Sequence, residues 1–208
     1  MFDGSEKSQF NPGDKVLYQP QILAVAGSAR LDSYNGRLVR IAAAGARQAG
    51  AKITILDLQE FPLPIFDEDL ERETGTPENV TKLKRLFIET DGLLIASPEY
   101  NSSITPLLKN TIDWVSRPAA GEGPLAAFTG KLACLMSASP GGLGGLRGLV
   151  HVRSILGNIG VTVLPDQVAV SRAFEAFAVD GSLKDPKQQT QIEALGSRLA
   201  NMLIKLKA

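Results

Sequence analysis

Five short apolar runs, each followed by a stretch with helical spacing, constrain this chain more than any single residue. The runs are ILAVAG (22–27), KITILDL (52–58), GLLIAS (92–97), KLACLMS (131–137) and VTVLPDQVAV (161–170). The first four are mostly continuous rather than alternating, which marks strands covered on both faces of a parallel sheet. The helical stretches are 35–50, 77–90, 105–117, 145–159 and 187–207. The first places Leu38, Val39, Ala42, Ala46 and Ala49 at near-helical spacing and stops at Gly50. The second opens with Thr76 as N-cap and Pro77 at the first helical position. Regular alternation of this kind predicts an α/β fold: a doubly wound, five-stranded parallel sheet of order 2-1-3-4-5 with helices on both faces. In that order the loops after strands 1, 3 and 4 converge where the winding reverses, and open sheets hold ligands there.

At 208 residues the chain suits one domain, expected over 21–208, with residues 1–20 a polar extension. A formal net charge of zero offers no field for nucleic acid or an anionic membrane. One cysteine, Cys134 in the apolar run LACLM, reads as core filler, and one histidine, His151, is too few for a zinc site. No run of 18 apolar residues is present, and MFDGSEKSQFNPGDK lacks an apolar signal core. The expectation is a reducing, cytoplasmic setting.

The loop after the first run reads GSARLDSYN, 27–35. Gly27 allows a sharp turn, Ser28, Ser33 and Asn35 offer short hydrogen-bonding side chains, and Arg30 offers a fork suited to phosphate. A helix starts here with free amides and the positive end of its dipole outward. Neither G-x-G-x-x-G nor G-x-x-x-x-G-K-[ST] follows a strand, so a mononucleotide is favoured over a dinucleotide or triphosphate. The third run empties into SPEYN. Pro98 stiffens the exit, and the amides of Glu99, Tyr100 and Asn101 are free to meet the polar edge of a flat heteroaromatic ring. Tyr100 reads as a wall for that ring, and Glu99 as an anchor for the loop or a contact to the ring edge. The fourth run leads into SASPGGLGGLRG, where Ser137 and Ser139 offer hydroxyls and Gly141 and Gly142 begin a wall without side chains.

These three stretches, with ITPLLKNTIDWVSR completing the second, resemble the NADPH-dependent FMN reductase family, a flavodoxin-like group that includes quinone, azo-dye and chromate reductases. The resemblance covers about residues 21–205. It implies a flavodoxin-like FMN domain with NADPH or NADH as co-substrate. Ser28, Arg30, Ser33 and Asn35 would hold the FMN phosphate. Pro98, Glu99, Tyr100 and Asn101 would border the isoalloxazine, with Ser137, Ser139, Gly141 and Gly142 closing the site. A homodimer or homotetramer with the flavin near a subunit boundary is implied too.

The expected reaction passes hydride from NAD(P)H to the flavin and then to a second acceptor: a quinone, free flavin, azo dye or metal oxyanion. No catalytic side chain is required, because the cofactor carries the chemistry. A flavodoxin-type electron carrier is the alternative, but such carriers are strongly acidic and this chain is neutral. A phosphoacceptor receiver would need acids after the first strand, and a phosphatase a nucleophile with a nearby histidine. Elsewhere, Trp114 reads as core, Lys109 and Asp113 as a helical i, i+4 pair, Asp57 as structural, His151 as packing, and FDEDLERE (66–73) as a solvated acidic face.

Overall fold

The five runs become five parallel strands: β1 (Gln21–Ala26), β2 (Lys52–Leu56), β3 (Gly92–Ala96), β4 (Leu132–Ala138) and β5 (Thr162–Val170). They form one sheet in the order β2-β1-β3-β4-β5, as the alternation predicts. β1 is central to the reversal, pairing Ala24 with Ile55 on one side and with Leu94 on the other. The computed structural model describes residues 18–207. Most of the expected polar extension, residues 1–17, lies outside the described residues. Tyr18 packs against the core, and Pro20 already belongs to the sheet edge, its carbonyl accepting from the Lys52 amide at 2.9 Å.

Helices cover both faces. On one lie α1 (Tyr34–Gln48) and the long α7 (Pro186–Lys207), packed over Ile22, Ala24, Leu94 and Cys134. On the other lie α3 (Glu78–Ile88), α4 (Pro106–Val115) and α5 (Leu146–Asn158), over Leu23, Val25, Leu93, Ile95 and Leu135. Each such fully buried Leu or Ile contributes ~1.5–3 kcal/mol relative to exposure. Strands β1, β3 and β4 read as continuous apolar runs because helices shield both of their faces.

α1 and α7 meet backbone to backbone. A Cβ on Gly45 would stand 2.1 Å from the Glu193 carbonyl oxygen, and one on Gly196 would stand 1.8 Å from that of Ala42. The Ser197 hydroxyl seals the crossing by donating to the Gly45 carbonyl at 2.9 Å. This contact fixes the axis of α1 and therefore where its N-terminus points.

Several expectations need correction. β2 is an edge strand, and its Lys52 and Thr54 are exposed, so KITIL alternates after all. Thr76 does not cap α3: Pro77 is the N-cap, with ψ 141°, and no side chain closes that end. Three short elements escaped the periodicity: a 3₁₀ turn at Leu58–Glu60, α2 (Glu68–Thr74) and α6 (Ala173–Ala176). None spans enough turns to show a period. α2 absorbs the acidic stretch. Asp67 caps it, Glu71 accepts from Arg117 Nε at 2.8 Å, and Phe66 meets Trp114 edge-on at 5.0 Å. Trp114 is fully buried and donates to the Pro64 carbonyl at 2.8 Å, Lys109 pairs with Asp113 at 2.7 Å, and Asp57 caps the 3₁₀ turn. Cys134 is core, its thiol pushed up to about 12 by burial, so it is no thiolate at neutral pH.

Candidate functional site

The first loop is drawn tight at its base. The Gly27 amide donates to the Ala96 carbonyl at 2.9 Å, and its carbonyl accepts from the Thr105 hydroxyl at 2.6 Å. A side chain at 27 would press on Leu108 Cβ at 3.0 Å and Pro98 Cδ at 3.3 Å, so glycine lets the exits of β1 and β3 close together. Ser33 caps α1 by accepting from the Gly36 amide at 3.2 Å. Asn35 is 4% exposed and bonds both backbone groups of Ala138: Nδ2 donates to the carbonyl at 2.8 Å, and Oδ1 accepts from the amide at 3.0 Å. These two side chains are committed to shape.

Ser28 and Arg30 are less committed. Ser28 Oγ accepts from the Arg30 amide at 3.3 Å, which leaves its proton free. The exposed Arg30 guanidinium donates to the Asp32 carbonyl at 3.2 Å and lies 5.8 Å from the Tyr34 ring centroid. Among the described residues, the amides of Ser28, Ala29, Tyr34 and Asn35 meet no acceptor. The first turn of α1 carries no acid. Free amides, one free hydroxyl, one cation and a helix dipole together make an anion seat.

The 98–103 loop is a hairpin-like turn. The amide and carbonyl of Tyr100 bond reciprocally with those of Ser103 at 2.9 and 3.0 Å. Asn101 and Ser102 between them are left-handed, with φ of 50° and 67°. Tyr100 therefore spends its amide in the turn, contrary to expectation, while those of Glu99 and Asn101 meet no acceptor among the described residues. The Tyr100 ring is 51% exposed, a wall rather than a core aromatic. Glu99 turns inward. Its carboxylate accepts from Arg147 Nε at 2.8 Å and from the Gly148 amide at 3.1 Å. Burial pushes this carboxyl's pKa up, but the Arg147 hydrogen bond, the Gly148 amide and the Arg147 charge outweigh it and leave the pKa below its ordinary value.

The strand 4 loop divides its glycines by task. Gly141 and Gly142 are exposed and would tolerate a Cβ sterically, so they present open backbone. Gly144 and Gly145 are buried and left-handed, at φ 62° and 92°. A Cβ on Gly145 would stand 1.9 Å from Ser137 Oγ. Ser137 is fully buried beneath this loop, and its hydroxyl finds no partner among the described residues. Ser139 lies higher, its amide held by the Val170 carbonyl at 3.1 Å.

A narrow crevice of about 80 Å³ brings together Ser28, Arg30, Ser33, Asn35, Pro98, Glu99, Tyr100 and Ser139, with Tyr34, Ala138 and Pro140. A second groove of about 300 Å³ continues past Tyr100 along Gly27, Thr105 and Leu107, and a third of about 190 Å³ runs toward Arg40 and Asp57. Ser28 and Arg30 line all three, so the anion seat is the junction of one trough. Asn101, Gly141, Gly142 and Ser137 do not line the crevice: the first three stand exposed at its margins and the last lies beneath it. Sequence reasoning missed Arg147, Thr105 and Tyr34, which stacks on Phe177 at 5.8 Å. Only Arg147 left a signal, an unassigned charge one loop away from Glu99, an acid expected to anchor its loop.

An anion seat at the switch point of a doubly wound sheet, opening onto a slot whose charges are paired off, defines a mononucleotide-binding α/β protein. The donor set fits FMN: a cation and amides for the phosphate, backbone for the ring. The family model described as NADPH-dependent FMN reductase matches residues 20–175, and the chain belongs to that family. An NAD(P)H-dependent FMN reductase of Pseudomonas aeruginosa is 36% identical over 180 residues, covering 84% of this chain and 92% of its own. An NAD(P)H:quinone oxidoreductase of Solanum tuberosum is 33% identical over 192 residues, covering 90% and 94%. Among solved structures, FerB, a flavoenzyme NAD(P)H:(acceptor) oxidoreductase of Paracoccus denitrificans, superposes with a TM-score of 0.75 at 27% identity over 89% of this chain and 98% of its own. The chain is an NAD(P)H-dependent FMN oxidoreductase with a flavodoxin-like fold.

Proposed function

We propose that the trough holds FMN with its phosphate on the Ser28–Asn35 loop and its ring between the 98–101 turn and the 139–142 backbone, and that a quinone or another flat acceptor takes the electrons. The observation that supports this best is the division of charge along the trough. At one end Arg30 carries no carboxylate partner and four amides meet no acceptor among the described residues, while Glu99 and Arg147 neutralise each other at the other. Ser28 and Arg30 bind the phosphate, and Ser33 and Asn35 hold the loop that presents them. The amides of Glu99 and Asn101 meet the polar edge of the ring, and Tyr100 bounds it. Ser139, Gly141 and Gly142 line the other margin, and Ser137 supports the loop from below. FMN, when bound, supplies the two-electron relay between NAD(P)H and the acceptor. The protein orients both partners and leaves one face of the slot open.

No helix among the described residues is long and apolar enough to cross a membrane, and we assign the chain to the cytoplasm. We also assign a homodimer or homotetramer. Leu146 and Val150, one turn apart on α5, are exposed beside exposed Leu143, and they border the glycine loop; light scattering on the purified chain decides the state. The direct test of the site is uptake of FMN. The purified chain, incubated with FMN and desalted, shows a flavin absorption band and oxidises NADPH when a quinone is added. A chain that stays colourless overturns the assignment.

A further inference from the structure

Two loops that the winding brings together are tied by one buried carboxylate. The Glu99 side chain is 7% exposed, whereas its partner Arg147 is 58% exposed. Arg147 donates twice to the same oxygen, from Nε at 2.8 Å and from Nη2 at 2.5 Å, and the Gly148 amide donates to the other at 3.1 Å. At the far end of the turn, the Ser103 hydroxyl meets His151 Nδ1 at 2.8 Å. Both ties run from the 99–103 turn to the first half of α5. Glycine at 148 keeps them short, since a Cβ there would stand 3.1 Å from the Ser103 carbonyl oxygen and 3.4 Å from Glu99 Cβ. Between the ties lie Asn101 and Ser102, two consecutive non-glycine residues with left-handed backbone. Such backbone persists only where its surroundings over-determine it.

We infer that Arg147 is a positioning residue for the flavin reaction. Through Glu99 it fixes the turn whose free amides face the ring, without itself touching the cofactor. The inference rests on the FMN assignment of the slot. Without Arg147 the carboxylate would remain buried with one amide donor. A buried, under-paired carboxylate is costly, so it swings outward or draws in water, and the turn moves with it. Arg147 has a second effect. An uncompensated carboxylate beside an electron-accepting ring disfavours added electrons, and the guanidinium cancels that field.

The test uses full-length wild type, Arg147→Gln, Arg147→Lys and Glu99→Gln, each checked for fold by thermal melting. FMN affinity is measured by fluorescence titration, and the midpoint potential of the bound flavin is measured at pH 8. Arg147→Gln binds FMN about tenfold more weakly, the loss expected for one charge-assisted hydrogen bond. Its flavin potential is more negative, because the Glu99 charge is then unpaired. Glu99→Gln loses similar affinity without that negative shift, since the charge left behind is the positive guanidinium of Arg147, which moves the potential the other way. Arg147→Lys restores the potential but only part of the affinity, because an ammonium lacks the two-pronged fork. A tie that only stabilised the fold would move the melting temperature and leave the potential alone. If Arg147→Gln fails to fold, the Glu99→Gln and Arg147→Lys pair carries the same comparison. Wild type that takes up no FMN overturns both the assignment and the inference. Wild type that binds FMN, alongside variants of unchanged affinity and potential, overturns the inference alone.

Discussion

The two ends of the trough solve opposite problems with the same materials. At the first, Arg30 is exposed and only lightly tethered, and the start of α1 carries no acid, so positive potential is left uncancelled. At the second, an arginine is also present, yet its charge is spent on Glu99 and what faces the ligand is backbone. An anion needs the first arrangement. A planar neutral ring that must gain and lose electrons needs the second, where fixed dipoles rather than mobile charges define the field. One loop is selective by charge and the other by shape, and Asn35 joins them by bonding across to Ala138.

Asn35 is where this contrast breaks most completely. Asn35→Ala orphans a buried amide and a buried carbonyl and should cost ~2–4 kcal/mol of stability in urea unfolding. Both FMN and riboflavin affinity should fall together, because both ends lose their alignment. Arg30→Gln separates the ends instead. FMN affinity should drop ~10–100-fold through loss of charge-assisted bonds to phosphate, while riboflavin, which has no phosphate, binds as before. Equal losses for the two ligands would place the phosphate elsewhere. The smallest effect is in pH. The folded Glu99 pKa lies below the ordinary value of 4.5, so its ionised form stabilises the fold at neutral pH. That contribution is complete above the ordinary carboxylate range and vanishes as pH falls through the lower folded value. Wild type should therefore unfold at higher urea than Glu99→Gln at pH 7, and the gap should close in strong acid.

Much of this was legible beforehand because it is local. The strand order followed from five alternations, and Ser33 and Gly27 sit in the first loop where their chemistry pointed. Asn35 belongs to a loop whose chemistry the sequence shows, but its pairing with Ala138 joins residues 103 apart and no local pattern encodes it. Arg147 was passed over for the same reason: its partner is 48 residues away and adjacent only after the sheet winds. The glycine loop misled differently. Four glycines read as one open wall, yet two of them are demanded by packing over Ser137 and Val170, which only coordinates reveal. α2 and the edge character of β2 were missed because short elements and five-residue strands carry too few residues to establish a period.

The backbone contact of α1 with α7, made at Gly45 and at Gly196, has a consequence for biosynthesis. α1 leaves the ribosome early, but the surface that holds it in place belongs to α7, which is made after all five strands. Until that late segment docks, α1 rests on the sheet alone, its flank toward α7 has no cover, and the mouth that receives the phosphoryl group is held less firmly in direction. A nascent chain halted before α7 would then carry every loop of the trough and still fail to retain the coenzyme.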